Sequence, residues 1–195
     1  MVGHEPLPTR DAAWELLCEW TPTVNLRKHM LSVEAVMRRY AQRFGEDEAL
    51  WGLVGLLHDF DYERYPSQEA GHPVRGVEHL RDIGYPEVAC RAILSHADYS
   101  GVLRTSRMEL ALHACDEVTG FIVAVALVRP TKSVHDVDTE AVKRKMRDKA
   151  FARAVSRDEM VRAAEALGVP FDEHVAQVIA AMRGIAPALG LAGTP

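Results

Sequence analysis

The chain has 195 residues, of which 48% are hydrophobic and 26% charged, a composition typical of one soluble globular domain. Its formal net charge of -5 argues against general binding to nucleic acid, although it leaves room for a local basic site. The cysteines show no CxxC spacing, the N-terminus lacks the pattern of a signal peptide, and the longest apolar run, residues 121–128, is too short to cross a membrane. We therefore expect a cytoplasmic protein that binds neither membranes nor nucleic acid stably.

Almost the whole chain is predicted to be helical, because no segment alternates between apolar and polar residues with a period of two. Thr9 is predicted to cap a first helix and Asn25 a second, both with a side-chain oxygen that can accept from a free backbone N–H. A third helix covers residues 47–59. The pair His72-Pro73 is predicted to open the fourth, since proline suits the first turn of a helix.

Further helices follow to the end of the chain. Pro86 is predicted to start a fifth helix, and a sixth covers residues 107–129. A strongly basic helix is predicted over residues 139–155. Ser156 and Glu159 have the spacing of a capping box, which indicates the start of another helix.

Asp172 is predicted to cap the last helix, and residues 188–195 are expected to form a loose tail. The fold class is therefore predicted to be all-α. We predict a single domain over residues 1–195, with a metal-binding core over residues 25–128 and a C-terminal helical extension over residues 131–183. The sequence is compatible with assembly of the chain into a homodimer.

A set of histidines and aspartates lies on, or at the ends of, different predicted helices. Helical bundles build metal sites in this way, from ligands on facing helices. Mixed nitrogen and oxygen ligands suit Fe, Mn, Zn, Co or Ni, and the residue types do not choose among these metals. The candidate ligands are His29, His58, Asp59, His72, His96 and Asp116. Other histidines are expected at the surface, namely His4, His79, His135 and His174.

The order His…His-Asp…Asp resembles the HD superfamily of metal-dependent phosphohydrolases. Residues 72–80 (His-Pro-x-x-Gly-x-x-x-Leu) and residues 93–101 (Ile-Leu-Ser-His-Ala-Asp-Tyr-Ser-Gly) resemble the two additional histidine motifs of its dinuclear branch. Residues 114–117 (Ala-Cys-Asp-Glu) stand where that family carries its last aspartate. The C-terminal part, including residues 127–133 and 145–151, is similar to a group of predicted HD hydrolases.

This resemblance implies an HD-domain helical bundle that binds one or two divalent transition-metal ions and hydrolyses a small phosphate ester or nucleotide. The cation would lower the pKa of the water that attacks phosphorus. Two ligand groups would share one bridging carboxylate, that of Asp59, which is thereby also a catalytic residue. One group is His29, His58, Asp59 and Asp116, and the other is Asp59, His72 and His96.

The sequence departs from the cyclic-dinucleotide phosphodiesterases of the superfamily at two places. Those enzymes carry a second histidine where this chain has Ala97, and their Gly-Tyr-Pro motif is missing here after Gly101. These departures weaken a cyclic-dinucleotide assignment. The ligand set is similar to that of the symmetrical diadenosine-tetraphosphate hydrolases and equally to that of the superfamily's di-iron oxygenases. Hydrolase, oxygenase and non-catalytic nucleotide-binding protein therefore remain open, with the hydrolase as the leading hypothesis.

Several charged residues near these motifs are candidates for further roles. Asp61 is a candidate general base acting through water or a residue that orients a ligand, with a solvated loop acid as the alternative. Arg64 is a candidate contact to a substrate anion, and Asp98 a candidate pocket residue.

The basic helix has two interpretations. Such runs of positive charge usually form a solvated surface. Alternatively, some of its cations, with others from the segment before it, grip the phosphate of the substrate. The residues assigned to this phosphate clamp are Arg129, Lys132 and Lys145, of which Lys132 and Lys145 are the preferred candidates for a catalytic role.

Overall fold

The structure is a computed structural model that describes residues 7–193. These residues form two compact units, an N-terminal unit that ends at Leu112 and a C-terminal unit that begins at His113. Within the described residues the chain is helical, and the only extended pairing is an isolated bridge between Ser133 and Ala192. The prediction of an all-α fold is therefore confirmed. The predicted domain boundaries stay predictions.

The N-terminal unit consists of five helices and the beginning of a sixth. The third helix contacts the first, second and fifth, and the fourth contacts the fifth. The helices are α1 (Arg10–Trp20), α2 (Val24–Phe44), α3 (Glu48–Leu57), α4 (Val74–Asp82), α5 (Glu87–His96) and α6 (Arg107–Leu127).

A close approach of α2 and α3 shapes this unit. A Cβ added at Gly55 on α3 would lie 2.9 Å from the backbone of Glu34 on α2, so no larger residue fits there without moving a helix. Glu34 is buried, and its carboxylate accepts from Arg10 at 2.7 and 2.8 Å and from Arg38 at 3.0 Å. Such pairing is what allows a carboxylate to be buried between helices. The contact fixes the position of α3, which carries the His-Asp pair at its end.

Helix α6 is long and apolar enough to cross a membrane by length and composition alone. However, 56% of its most apolar window is buried within the protein. A buried core helix passes the same test, so this helix is only weak evidence for membrane insertion.

The C-terminal unit contains the rest of α6 and four further helices, of which the ninth contacts the seventh, eighth and tenth. His174 on this central helix is fully buried, and its Nε2 lies 2.9 Å from the carbonyl oxygen of Ala114. Burial lowers the pKa of His174 to about 4. The helices are α7 (Thr139–Arg147), α8 (Arg157–Leu167), α9 (Phe171–Gly184) and α10 (Ala186–Leu189).

Several predicted helix ends are confirmed and others are wrong. Thr9 caps α1 as predicted, its Oγ1 accepting from the N–H of Ala12 at 3.2 Å. Helix α2 begins one residue before Asn25, with Thr23 at its N-cap. The basic helix ends at Arg147, because Asp148 adopts an extended conformation, and not near residue 155.

The C-terminal predictions need two corrections. Helix α9 begins at Phe171 after Pro170, so Asp172 lies within its first turn and does not cap it. The expected loose tail is wrong as far as residue 193, because α10 forms there and Leu189 and Leu191 are 4% and 2% exposed. The burial of two leucines supplies the apolar contact that this short segment needs to stay ordered.

The expectations for the remaining histidines are also mixed. His135 is exposed as expected, whereas His79 is half-buried with its ring centroid 4.6 Å from that of Trp20. The prediction of a surface position is wrong for His174, which lies in the core of the C-terminal unit. His4 lies outside the described residues.

Candidate metal centre

His58 and Asp59 follow the last residue of α3, where the helix opens into a series of turns. His58 is fully buried, and its Nδ1 lies 2.9 Å from the carbonyl oxygen of Gly55. A carbonyl oxygen can only accept a hydrogen bond, so Nδ1 is the donor. In the neutral ring, the lone pair is then on Nε2, which is the form that binds a metal ion.

Two more histidines are held in the same way. The Nδ1 of His96, at the end of α5, donates to the carbonyl oxygen of Ile93 at 2.6 Å. The Nδ1 of His72, which is 3% exposed, lies 2.6 Å from Oδ1 of Asp61. In both rings Nε2 is therefore the atom left to face the centre of the cluster.

The three Nε2 atoms converge on the carboxylate of Asp59. Its Oδ1 lies 3.3 Å from His72 Nε2 and 3.2 Å from His96 Nε2, and its Oδ2 lies 3.5 Å from His58 Nε2. Lone pairs on nitrogen and on a carboxylate repel one another unless a proton or a cation lies between them. The donor set therefore fits a divalent metal ion with nitrogen and oxygen ligands.

His29 on α2 belongs to the same cluster. Its ligand atom lies within 4.8 Å of those of His58 and Asp59, and its ring meets that of His58 edge-on, with 5.2 Å between centroids. The ligand atoms of Asp59, His72 and His96 also lie within 4.8 Å of one another. Asp59 therefore belongs to two groups of residues that could each hold a metal ion, and its role as a bridging carboxylate stays a prediction.

The cluster changes the protonation of its members. Burial alone would raise the pKa of Asp59, but the neighbouring imidazoles of His58, His72 and His96 hold it well below its ordinary value. Burial alone would lower the pKa of His72, but its hydrogen bonds to Asp59 and Asp61 raise it to about 9. Without a metal ion, a proton on His72 thus lies between its ring and these carboxylates.

Asp61 is 1% exposed, so the alternative of a solvated loop acid is wrong. Its Oδ1 faces His72, and its Oδ2 accepts from the N–H of Gly76 at 2.8 Å. A Cβ at Gly76 would lie 2.6 Å from Cγ of Asp61, which explains the glycine in the motif that begins at His72. Both oxygens are engaged by the protein, and this geometry favours an orienting role over that of a base in contact with substrate.

The structure places two of the predicted substrate contacts against other protein groups. The guanidinium of Arg64 lies over the ring of Trp20, 3.9 Å from its centroid, and donates to Glu19 at 3.3 Å. Asp98 is paired with Arg104. Neither contact includes a member of the histidine cluster, and the substrate-binding roles of Arg64 and Asp98 stay predictions.

Arg104 is a residue that the sequence motifs do not reveal. Besides its pair with Asp98, it donates to the carbonyl oxygen of His96 at 3.1 Å and so holds the end of α5. Because it lies eight residues after His96 in an irregular segment, neither helical spacing nor a motif predicts this contact.

The other predicted site residues belong to the C-terminal unit. Asp116 is half-buried on the part of α6 within that unit. Arg129 follows the end of α6, and Lys145 lies in the last turn of α7. Lys132 is exposed and has a left-handed backbone with φ of 49°. Their assigned roles as ligand, clamp and catalytic residues stay predictions.

A comparison with known families agrees with this geometry. The sequence model of the HD domain matches residues 26–120, a segment that contains every predicted metal ligand from His29 to Asp116. HD domains bind divalent metal ions. No solved structure matches the chain.

Proposed function

We propose that this chain, whose residues 26–120 match the HD domain, is a metal-dependent phosphohydrolase acting on a small phosphate ester or nucleotide. The carboxylate of Asp59 is the observation that carries the proposal. Its Oδ1 faces His72 and His96 while its Oδ2 faces His58, so its two oxygens can serve two different ions.

The proposed ligands divide into two groups that share Asp59. One is His29, His58 and Asp59, completed by Asp116, which the family match includes. The other is Asp59, His72 and His96. We propose Asp116 as a ligand because of the ordered series of histidines and aspartates in the sequence. Removal of its carboxylate should lower the metal content, as removal of the Asp59 carboxylate should.

Bound ions would supply a water molecule of lowered pKa and would offset the charge that develops on the phosphoryl oxygens. The protein's own residues prepare the site for this chemistry. Backbone carbonyls hold His58 and His96, and Asp61 holds His72, so that all three rings present Nε2 and keep their orientation. We propose that Asp61 acts through His72 as a positioning residue.

The cellular setting belongs to the same proposal. The scattered cysteines, which show no CxxC spacing, support a cytoplasmic location. The partner is proposed to be a small phosphorylated molecule, and the net charge of -5 disfavours stable binding to nucleic acid.

The test is hydrolysis of phosphate monoesters and nucleotides by protein loaded with Mn, Co, Zn, Ni or Fe, in air and under argon. We expect metal-dependent release of phosphate that does not require oxygen. His58→Ala should abolish this activity, whereas His135→Ala, which removes an exposed imidazole of the C-terminal unit, should not change it. Equal activity in His58→Ala and wild type would refute the metal assignment.

Oxygen consumption and melting temperature, measured on the same metal-loaded protein, separate the two alternatives. An HD-type di-iron oxygenase would be active only with iron and would consume oxygen. A non-catalytic nucleotide-binding protein would show a nucleotide-dependent rise in melting temperature without product under any of these conditions.

A further inference from the structure

The C-terminal unit contains a cavity of about 150 Å³ beside the end of α6. Three of its lining residues are apolar, and the other three are cationic. The lining consists of Val125, Val128, Arg129, Ala141, Arg144 and Lys145. Ala141, Arg144 and Lys145 are three and four residues apart on α7, so they share one side of that helix.

The cations of this cavity lack counter-charges. In residues 7–193, no carboxylate lies within ion-pair distance of Arg129, Arg144 or Lys145. Lys143, on the same helix, instead pairs with Asp172 at 2.9 Å and with Glu140 at 3.4 Å. Basic residues are favourable in the last turn of any helix, but that effect does not bring three cations from two segments of the chain to one cavity.

Lys145 is also held in position. Its Nζ lies 4.8 Å from the ring centroid of Phe151, and that ring packs edge-on against Phe121 at 5.4 Å. Arg157 fixes the segment around Phe151 by donating to the carbonyl oxygens of Asp148, Phe151, Ala152 and Val155. A cation held by an aromatic ring loses less freedom when an anion binds.

From this arrangement we propose that the cavity binds a phosphate monoester with a short apolar substituent. One carboxylate can be satisfied by a single guanidinium, whereas a phosphate dianion with three terminal oxygens matches three separate cations. The apolar wall of Val125, Val128 and Ala141 accommodates the organic part. Drug-sized ligands occupy cavities of about 300–1,000 Å³, so the smaller volume here suits a compact ester.

The assignment uses residues of the C-terminal unit alone and does not depend on the proposed metal centre. The test is therefore made in full-length protein with and without Asp59→Ala, which removes the shared carboxylate of that centre. The probes are inorganic phosphate, phenyl phosphate and benzoate, titrated at constant ionic strength by calorimetry, with amide NMR shifts to locate the bound ligand.

We expect phenyl phosphate to bind more tightly than inorganic phosphate and to shift the amides of residues 125–129 and 141–145, also in Asp59→Ala. The double variant Arg144→Gln/Lys145→Gln should weaken this binding by about tenfold or more, since two charged donors are lost. The matched control Lys143→Gln should bind within about twofold of wild type, because its amine faces Asp172.

Equal binding by the double variant and the control would overturn the proposal. Benzoate binding as tightly as phenyl phosphate would overturn the choice of phosphate over carboxylate. Binding that disappears in Asp59→Ala while Arg144→Gln/Lys145→Gln binds normally would assign the phosphate to the metal centre instead. Circular dichroism of each variant establishes that a loss of binding is not a loss of fold.

Discussion

Each unit of this protein has a buried histidine with a shifted pKa, and the two shifts have opposite directions. His72 in the N-terminal unit lies between the carboxylates of Asp59 and Asp61, which raise its pKa to about 9. His174 in the C-terminal unit faces the carbonyl oxygen of Ala114, and burial lowers its pKa to about 4. The same side chain is therefore a member of a charged cluster in one unit and a neutral part of the core in the other.

The cations around the cavity of the C-terminal unit differ in a related way from three arginines of the N-terminal unit. In the N-terminal unit, Arg10 and Arg38 pair with Glu34, and Arg104 pairs with Asp98. In the C-terminal unit, the cations around the cavity face no carboxylate within the described residues. A cation that forms an ion pair within the protein stabilises or positions part of the fold. A set of cations without a neighbouring carboxylate is available to bind an anionic ligand.

The largest predicted effect is on the pH dependence of stability through His174. Because its pKa falls from 6.5 to about 4 on folding, the unfolded chain takes up the proton first. The contribution of His174 to stability is therefore fully present above pH 6.5 and is lost as the pH falls toward 4, by on the order of 3 kcal/mol. His174→Gln, which retains a donor for Ala114 but does not titrate, should flatten this part of the curve in urea unfolding.

The exposed His135 supplies the control for that experiment. His135→Gln should leave the slope of stability against pH as it is in wild type. If His174→Gln and His135→Gln both lose stability below pH 6.5 as steeply as wild type, the burial of neutral His174 does not cause the pH dependence of stability.

The second prediction concerns the orientation of His72. Asp61→Asn retains the size of the side chain, but its NH2 group would face either the N–H of Gly76 or the Nδ1–H of His72. Both of these groups are donors, so one of the two hydrogen bonds would be lost. Loss of such an orienting partner lowers metal affinity by about 10–100-fold. Metal titration measures this, and Asp82→Asn, at an exposed position, is the control. Unchanged affinity in Asp61→Asn would remove the positioning role.

The third prediction uses the space reserved at Gly76. Gly76→Ala would bring a Cβ to 2.6 Å from Cγ of Asp61, which is buried and cannot easily move. We expect a loss of stability of about 1–3 kcal/mol, measured by thermal unfolding, together with weaker metal binding. Gly120→Ala is the matched control, since its Cβ meets nothing within 4 Å and helix propensity favours alanine. Equal melting temperatures for the two variants would contradict the close packing of Gly76.

The smallest effect is expected at Arg64. If stacking on Trp20 is its role, Arg64→Ala should lower stability by about 0.5–1 kcal/mol and leave KM for a phosphate ester within about twofold. A rise of tenfold or more in KM without a change in melting temperature would instead support the substrate contact that the sequence predicts.

The sequence predicts the fold class and the centre of the site because both depend on local patterns. Helical periodicity and the absence of alternation indicate an all-α chain, and the family match agrees with the resemblance of the motifs. The proximity of His29, His58 and Asp59, and of Asp59, His72 and His96, follows from the ordered motifs of one family.

Other features depend on contacts that no local pattern encodes. His174 has no motif, and only the packing of α9 reveals that it is buried. The capping box is half formed: Ser156 accepts from the N–H of Glu159 at 3.3 Å, but the Glu159 carboxylate turns to His113 at 2.9 Å. The N–H of Ser156 is taken by Glu117, 39 residues away, at 3.2 Å. The sequence does not show that a distant residue competes with the capping box for the Glu159 side chain.

The central claim is that Asp59 joins the histidines of the N-terminal unit into a metal centre, and the metal content of the purified protein tests it most directly. Protein prepared without chelator or histidine tag should carry about one to two equivalents of transition metal per chain. Asp82→Ala, which removes an exposed carboxylate, should carry the same amount, and Asp59→Ala about a tenth of it or less. Full metal content in Asp59→Ala would contradict the account.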